Sequence, residues 1–212
     1  MDVSESPVTE PGRGFPPPAS LLEEIAAARP RDRAAGLAFA LARVPEDDSR
    51  PLLLVLPGDW RRDWGLPCPQ GIAAPDLLIV LPRRAEDALW AMEQALRSGA
   101  CAAAIGAIEQ ATLTQTRRLD VAAREGGAAA ILLRRHGDGL SAARRRWRIA
   151  AAPSARHAWD ARAPGALRLR ADLVRRRDGA QGSWLMEQED ATGRLAVAGR
   201  LADHGAPARD AA

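Results

Sequence analysis

The sequence predicts an α/β protein with a mixed β-sheet. Four aliphatic runs of strand length, most of them separated by helical patterns, are typical of parallel strands joined by crossover helices. These runs are Leu52 to Leu56, Leu77 to Leu81, Ala100 to Ile108 and Ala128 to Leu133. After Arg134 apolar and polar residues alternate, which predicts strands with one buried face. The sheet is therefore expected to begin with parallel strands and to end in an antiparallel meander.

Helical periodicity separates the predicted strands. In Arg84 to Ser98 the apolar residues recur on one stripe and Gly99 follows, which predicts an amphipathic helix with a glycine C-cap. A second helix is expected from about Leu113 to Glu125, before two glycines. Upstream, Asp32 is in a position to N-cap a further helix, whose apolar residues recur at Ala34, Leu37, Ala38 and Leu41.

The predicted meander follows from alternation and turn residues. Trp147, Ile149 and Ala151 alternate with polar or small neighbours, and so do Leu167 to Leu173. Ser183 to Glu189 and Arg194 to Gly199 are expected to complete the meander. The last of these segments has the pattern of an edge strand, a surface able to add a strand from a partner.

The length of 212 residues indicates one domain with short appended pieces. Prolines and glycines dominate the first twenty residues, including the run Pro16 to Pro18, so we expect a flexible arm over 1–20. The core domain is expected over 21–203, followed by a flexible tail over 204–212.

Composition excludes several classes of protein. Two cysteines and three isolated histidines cannot build a disulfide framework or a metal site of standard spacing, so we expect no metal and no other cofactor. No apolar run reaches the roughly 18 residues of a membrane span, and the acidic N-terminus lacks the order of a signal peptide. We therefore expect a cytoplasmic protein without membrane contact. No catalytic constellation is present, so we expect no enzyme activity.

The formal charge of +3 is the balance of two unlike halves. Residues 1–112 carry 11 Arg and 16 acids, net −5, whereas residues 113–212 carry 19 Arg and 11 acids, net +8. Within 134–177 there are 13 Arg and 3 Asp. This stretch either contacts DNA phosphates or an acidic protein, or it forms an exposed sheet face that a lysine-free sequence fills with arginine. The candidate contacts are Arg134, Arg135, Arg144, Arg145, Arg146, Arg175, Arg176 and Arg177.

The tryptophans divide into two groups. Trp60 and Trp64 lie in the long connection from Pro57 to Pro75, beyond a strand end, where partners are usually met. They are further candidate contacts. Trp90 and Trp184 lie in a predicted helix and strand and are expected to pack in the core, as is Cys101, which begins a buried strand.

Three segments carry a resemblance to a known family. They are Asp76 to Pro82, Asp87 to Ala100 with its Arg-Ser-Gly-Ala end, and Gly182 to Asp190, which begins Gly-Ser-Trp-Leu. The chain resembles the ImuA family, accessory proteins of bacterial mutagenesis cassettes that are similar to the RecA core. Gly12 to Pro16 resembles the family's Gly-Gly-Leu-Pro element, and Ser20 to Ile25 resembles the strand that enters the phosphate loop. The resemblance covers residues 12–203 and implies a RecA-core-like fold.

The resemblance also allows a check of the phosphate loop. Such a loop needs glycines for close backbone approach, a lysine for the terminal phosphates and a hydroxyl for Mg²⁺. In register with the RecA-like pattern, the glycines fall on Ala27 and Asp32, the lysine on Arg33 and the hydroxyl on Ala34. The Mg²⁺-ordering aspartate falls on Ala107. These replacements predict that nucleotide chemistry has been lost.

The resemblance implies an adaptor for error-prone translesion synthesis in the DNA-damage response. Its implied partners are an ImuB-like relative of Y-family polymerases, an error-prone C-family polymerase and RecA, with weak DNA contact. Two alternatives stay open. One is a division inhibitor like SulA, which binds FtsZ, and the other is a RecA-type ATPase with a divergent site.

Overall fold

The computed structural model describes residues 8–9, 15–19, 21–68, 72, 76–135, 137–160, 162–177, 181–189 and 194–201. Within these ranges the strands form one sheet. The strands are β1 (Val8–Thr9), β2 (Leu22–Ala27), β3 (Leu52–Val55), β4 (Leu77–Val80), β5 (Ala103–Ala107), β6 (Ala129–Arg134), β7 (Arg145–Ala152), β8 (Arg168–Arg176), β9 (Gly182–Gln188) and β10 (Leu195–Leu201). The α-helices are α1 (Arg33–Leu41), α2 (Gly58–Trp64), α3 (Ala85–Ser98) and α4 (Leu113–Gly126).

Strand β2 lies in the middle of the sheet and joins its two parts. It pairs in parallel with β6 on one side and with β7 on the other. The strand order is β1-β10-β9-β8-β7-β2-β6-β5-β3-β4. The six strands from β7 to β4 are parallel, and β8, β9, β10 and β1 continue in antiparallel pairs. The predicted mixed α/β sheet, parallel first and antiparallel last, is confirmed.

Apolar side chains pack on both faces of the sheet. One core contains Phe39 of α1 with Trp147 and Trp184, whose strands β7 and β9 belong to the C-terminal part. The other core places Met92 of α3 and Leu119 of α4 against the alternate residues of the parallel strands. The predicted burial of Trp184 and Cys101 is confirmed. Because β-strand side chains alternate between faces, continuous aliphatic runs serve both cores.

Three details differ from the predictions. The side chain of Trp90 is 62% exposed, because a helix turns about 100° per residue and Trp90 follows the buried Leu89 on the solvent side. The Pro57 to Pro75 connection contains α2. This helix was not predicted, because glycines and prolines border it and are typical of loops. Strand β10 is not an edge strand, since it pairs with both β9 and β1.

The first part of the chain contributes to the sheet and to its packing. Strand β1 lies within the segment predicted as an arm, and Phe15 packs against the core that contains Trp147. Ala19 is buried, and its N–H donates to the carbonyl of Arg43 at 2.8 Å. No helix in the described ranges is both long enough and apolar enough to span a membrane.

The predicted ends of α3 and α4 are confirmed, with Gly99 and Gly127 in left-handed conformations at the C-caps. Arg50 joins these two ends. Its guanidinium donates to the carbonyl of Gly99 at 2.8 Å, and to those of Gly126 and Gly127 at 3.1 and 2.8 Å. Helix C-termini leave carbonyls unpaired and carry partial negative charge, so this arginine satisfies and neutralises both helix ends. Asp48 orients it through an ion pair of 2.6 Å.

We predict that Arg50→Ala lowers the free energy of unfolding by about 1–3 kcal/mol, since three carbonyls lose a charged donor. Urea denaturation at pH 7 measures this. The matched control is Arg84→Ala, because Arg84 pairs only with an exposed glutamate, Glu86, among the described residues. Its effect should stay within about 0.5 kcal/mol. A loss for Arg50→Ala no larger than that of the control would contradict the capping role.

The same ion pair predicts a dependence on pH. The hydrogen bond from Arg50 holds the pKa of Asp48 below its ordinary value. Such a carboxylate stabilises the fold at neutral pH, and this contribution disappears as the pH falls through the folded-state pKa. Asp48→Asn should therefore be less stable than the parent at pH 7, and the gap should close below about pH 4. Unfolding midpoints across this range test the prediction, and a constant gap would refute it.

Candidate functional site

The carboxyl ends of β2, β5 and β6 meet at one edge of the sheet, where open α/β sheets bind their ligands. The chain passes from β2 through residues 28–32, with a short 3₁₀ turn at Pro30–Asp32, into α1. This strand-turn-helix connection has the position of a phosphate loop. What it can bind depends on the side chains that fill it.

Asp32 occupies the N-cap position of α1, as predicted, but its carboxylate does not cap the helix. Instead Oδ1 accepts a hydrogen bond of 3.2 Å from the backbone N–H of Ala151 on β7. The residue is only 2% exposed. A buried carboxylate beside a helix N-terminus repels any phosphate that would bind there. The backbone of the turn is also fixed, because the N–H of Ala28 donates to the carbonyl of Ile149 at 2.7 Å.

Arg33, which we predicted to stand at the position of the phosphate-loop lysine, forms an ion pair within the protein. Its Nη2 lies 3.0 Å from Oε1 of Glu109, and Nε of Arg135 lies 3.3 Å from Oε2 of the same carboxylate. Glu109 follows β5 and Arg135 follows β6. The three side chains therefore connect the ends of three elements across the mouth of the site.

Beneath these ion pairs lies a small cavity of about 20 Å³. A volume of this size holds about one water molecule. Its apolar lining includes Ala27 and Ala107, two of the predicted degenerate positions, and Trp60 of α2. Outside it a more open cleft of about 450 Å³ is lined by Ala27, Ala28, Arg29, Pro30, Arg33, Asp63 and Arg135. The inner cavity is thus too small for a triphosphate, and the outer cleft is lined by side chains of both signs of charge.

The candidate tryptophans of the connection both belong to α2. Trp60 is half-buried and packs against the core that contains Phe39 and Trp147. Trp64 is the last residue of α2, and its side chain lies outside what the structure describes. Trp60 therefore lines the small cavity and also packs against the hydrophobic core.

A buried carboxylate on β2 engages two of the basic residues near it. Glu23 is 2% exposed. Its carboxylate accepts hydrogen bonds from Arg43 at 2.9 and 3.2 Å, from Arg145 at 2.7 Å and from the indole N–H of Trp147 at 2.9 Å. The Arg43 guanidinium lies over the rings of Phe15 and Trp147, at 5.5 and 5.4 Å from their centroids. These contacts compensate the cost of burying both charges.

The next residue, Glu24, forms a second buried cluster on the opposite face of β2. Its carboxylate lies 2.8 Å from Nε of Arg146 and 3.9 Å from Nε of Arg134. Arg146 also donates to the carbonyls of Gly137 and Gly139 at 3.2 and 2.7 Å. Burial lowers the pKa of Arg134. Arg146 therefore stabilises the loop that follows β6.

The structure separates the predicted arginines into two roles. Arg134, Arg145 and Arg146 bind the buried glutamates of β2 and have little surface left for a partner. Antiparallel pairing brings the two arginine triplets together, with Arg145 opposite Arg176 and Arg146 opposite Arg175. Arg144, Arg175 and Arg176 are half-buried, and Arg135 and Arg177 are exposed.

Sequence reasoning missed Glu23 and Glu24 as functional parts of the fold. Two acidic residues stand there inside an otherwise apolar strand, between Leu22 and Ile25. Acidic residues in a buried strand need basic partners, and the arginine-rich stretch supplies them. This conflict between strand pattern and charge was the available signal.

No protein-family model matches the chain. Protein ImuA from two strains of Caulobacter vibrioides, NA1000 / CB15N and ATCC 19089 / CIP 103742 / CB 15, is in each case 34% identical over 155 residues. The chain is similar to ImuA. The match covers 66% of this chain and 63% of each relative, so it spans less than two thirds of the length of ImuA.

Among solved structures, SulA from Pseudomonas aeruginosa matches with a TM-score of 0.39 and 20% identity, covering 53% of this chain and 96% of SulA. This similarity is too low to define the fold or to indicate a function.

We predict that Arg43→Met lowers the free energy of unfolding by about 3–5 kcal/mol, because it removes one of the two arginines that pair with the buried Glu23 carboxylate. The double variant Glu23→Gln, Arg43→Met should cost clearly less than the sum of its single variants, since it removes both charges. Chemical denaturation of the four proteins measures this coupling. Additive losses would show that the two side chains stabilise the fold independently.

Proposed function

We propose that the chain is a non-catalytic adaptor of the ImuA type, with a degenerate RecA-like core. In this proposal it supports error-prone translesion DNA synthesis during the SOS response. Its partners are an ImuB-like relative of Y-family polymerases, an error-prone C-family polymerase and RecA. Its mechanism is recruitment, in which no covalent bond is made or broken.

The proposal rests on the side chains that fill the connection between β2 and α1, where a phosphate loop would lie. A chain similar to ImuA has kept the strand-turn-helix connection and has filled it with the buried Asp32 and with the Arg33–Glu109–Arg135 ion pairs. A nucleotide would have to break these pairs and approach a carboxylate. This arrangement favours an adaptor over an ATPase with a divergent site.

A partner surface is proposed from the arginines that remain accessible. Arg177 is exposed, and its N–H donates to the carbonyl of Arg144 at 3.1 Å, so it continues the paired triplets beyond β8. Together with Arg144, Arg175 and Arg176 it forms a basic patch at one end of the β7–β8 pair. Guanidinium groups form ion pairs with carboxylates, so this basic patch is complementary in charge to an acidic surface of a partner protein.

A second partner surface is proposed at the opposite end of the parallel strands. There Arg135 is exposed beside Trp60, and Trp64 ends the same helix as Trp60. Arginine and tryptophan are enriched where interfaces gain most of their binding energy. The two surfaces would allow the adaptor to hold two partners at once.

The test is capture of purified partners by the full-length protein. An ImuB-like protein, a C-family polymerase and RecA from the same organism are each mixed with the tagged chain at low and moderate salt. We predict capture of the ImuB-like protein, weakened by about tenfold in Arg175→Ala, Arg177→Ala because charge complementarity is lost. The matched control is Arg83→Ala, Arg84→Ala, two exposed arginines ahead of α3. Capture of none of the three proteins would refute the proposal.

A further inference from the structure

The β7–β8 hairpin extends beyond the sheet and ends in an ordered turn. Past Ala152 and Arg168, the N–H of Ala155 donates to the carbonyl of Ala166 at 2.9 Å, and the N–H of Gly165 donates to Ala155 at 3.0 Å. A last bridge pairs Arg156 with Pro164. This bridge lies at the same end of the sheet as the connection between β2 and α1.

The turn is held by side-chain hydrogen bonds. Nδ1 of His157 accepts from the N–H groups of Trp159 and Asp160 at 3.4 and 3.2 Å. The carboxylate of Asp160 accepts from the N–H of Arg162 at 2.8 Å. On this turn Trp159 is 93% exposed. An exposed ring forgoes the stabilisation that burial would provide, so the face of this indole is available to stack on a planar group of a ligand.

Arginines follow one face of the same hairpin. The paired residues run from Arg148–Asp172 to Ala152–Arg168, and side chains alternate between the two faces of a strand, so the even-numbered residues of this ladder share a face. The odd-numbered Ile149, Leu169 and Ala171 are fully buried in the core. Within this ladder the open face therefore carries Arg148, Arg168 and Arg170, and Arg156 follows beyond its end.

This face keeps an excess of positive charge. Asp172 pairs with Arg170 at 2.7 Å and lies 3.7 Å from Arg148, and Glu187 pairs with Arg168 at 2.6 Å. Arg156 and Arg162, which flank Trp159, are exposed, and no carboxylate of the described residues forms an ion pair with them. From Arg148 to Asp172 the sequence holds five Arg and two Asp. Arg156 and Arg162 thus each lie three residues from Trp159 in the sequence, and Asp160 is the carboxylate between them.

We propose that this hairpin binds single-stranded nucleic acid, with an unpaired base stacked on Trp159 and phosphates held by Arg156 and Arg162. A base can stack on an indole ring only when it is unpaired, and stacking is tolerant of sequence. Guanidinium groups beside the ring match the phosphates that flank such a base. A protein with an apolar pocket for Trp159 is the competing occupant. The inference does not depend on the proposed adaptor function.

The test is fluorescence anisotropy of a labelled oligothymidylate of about 20 nucleotides, titrated with the full-length protein at about 50 mM salt. Trp159→Ala should weaken binding about tenfold. Trp159→Phe should retain most of the affinity of the parent protein, because phenylalanine also offers a ring on which a base can stack. Arg156→Ala, Arg162→Ala should weaken binding and flatten its salt dependence. The matched control is Trp90→Ala, since Trp90 is also exposed but lies on α3, and it should bind as the parent does.

Each other outcome overturns the proposal. Absence of binding by the parent protein, or equal binding by the parent and Trp159→Ala, would show that the hairpin does not bind single strands. If Trp159→Ala binds the oligonucleotide normally but no longer captures a protein partner, the occupant of the ring is a protein pocket. Because Trp159 packs against little of the protein, all variants should keep the parent unfolding midpoint, which circular dichroism checks.

Discussion

The ion-pair network around Glu23 is the interaction on which the rest of the structure depends. Its carboxylate lies on the central strand and joins Arg43, which follows α1, to Arg145 and Trp147 on β7. Arg43 also donates to the carbonyls of Pro16 and Pro17 and so attaches the proline-rich segment to the sheet. Two buried charges are costly unless each is fully paired. The parallel and antiparallel parts of the sheet are therefore connected by side chains as well as by backbone.

This network shows that the arginines of 134–177 do not all serve one surface. Their number in the sequence suggested a single docking surface. In the fold, Arg134, Arg145 and Arg146 neutralise Glu23 and Glu24, whereas Arg177 and the hairpin arginines remain at the surface. The same principle applies at the carboxyl ends of the strands, where Arg33 neutralises Glu109 instead of a phosphate. Much of the positive charge of the chain is therefore paired with carboxylates of the same protein.

The sequence contained enough information for the sheet and helices but not for the charge network. Aliphatic runs and the glycines at 99 and 127 determine strands and helix ends locally, so these were predictable. The pairing of Glu23 with Arg145, 122 positions away, depends on β2 lying next to β7, which no local pattern specifies. Helix α2 was missed because its flanking prolines and glycines outweighed a weak local signal. Asp32 was correctly placed at the helix start, but its bond to Ala151 again needed the strand order.

The central claim is that the predicted phosphate-loop connection is occupied by the protein's own charged side chains and does not bind nucleotide. Isothermal titration of the full-length protein with Mg²⁺-ATP tests it most directly. The account predicts no heat of binding at millimolar nucleotide, and none for Asp32→Gly either, because the Arg33–Glu109–Arg135 pairs and the small cavity remain. Saturable binding of ATP by the unmodified protein would contradict the account.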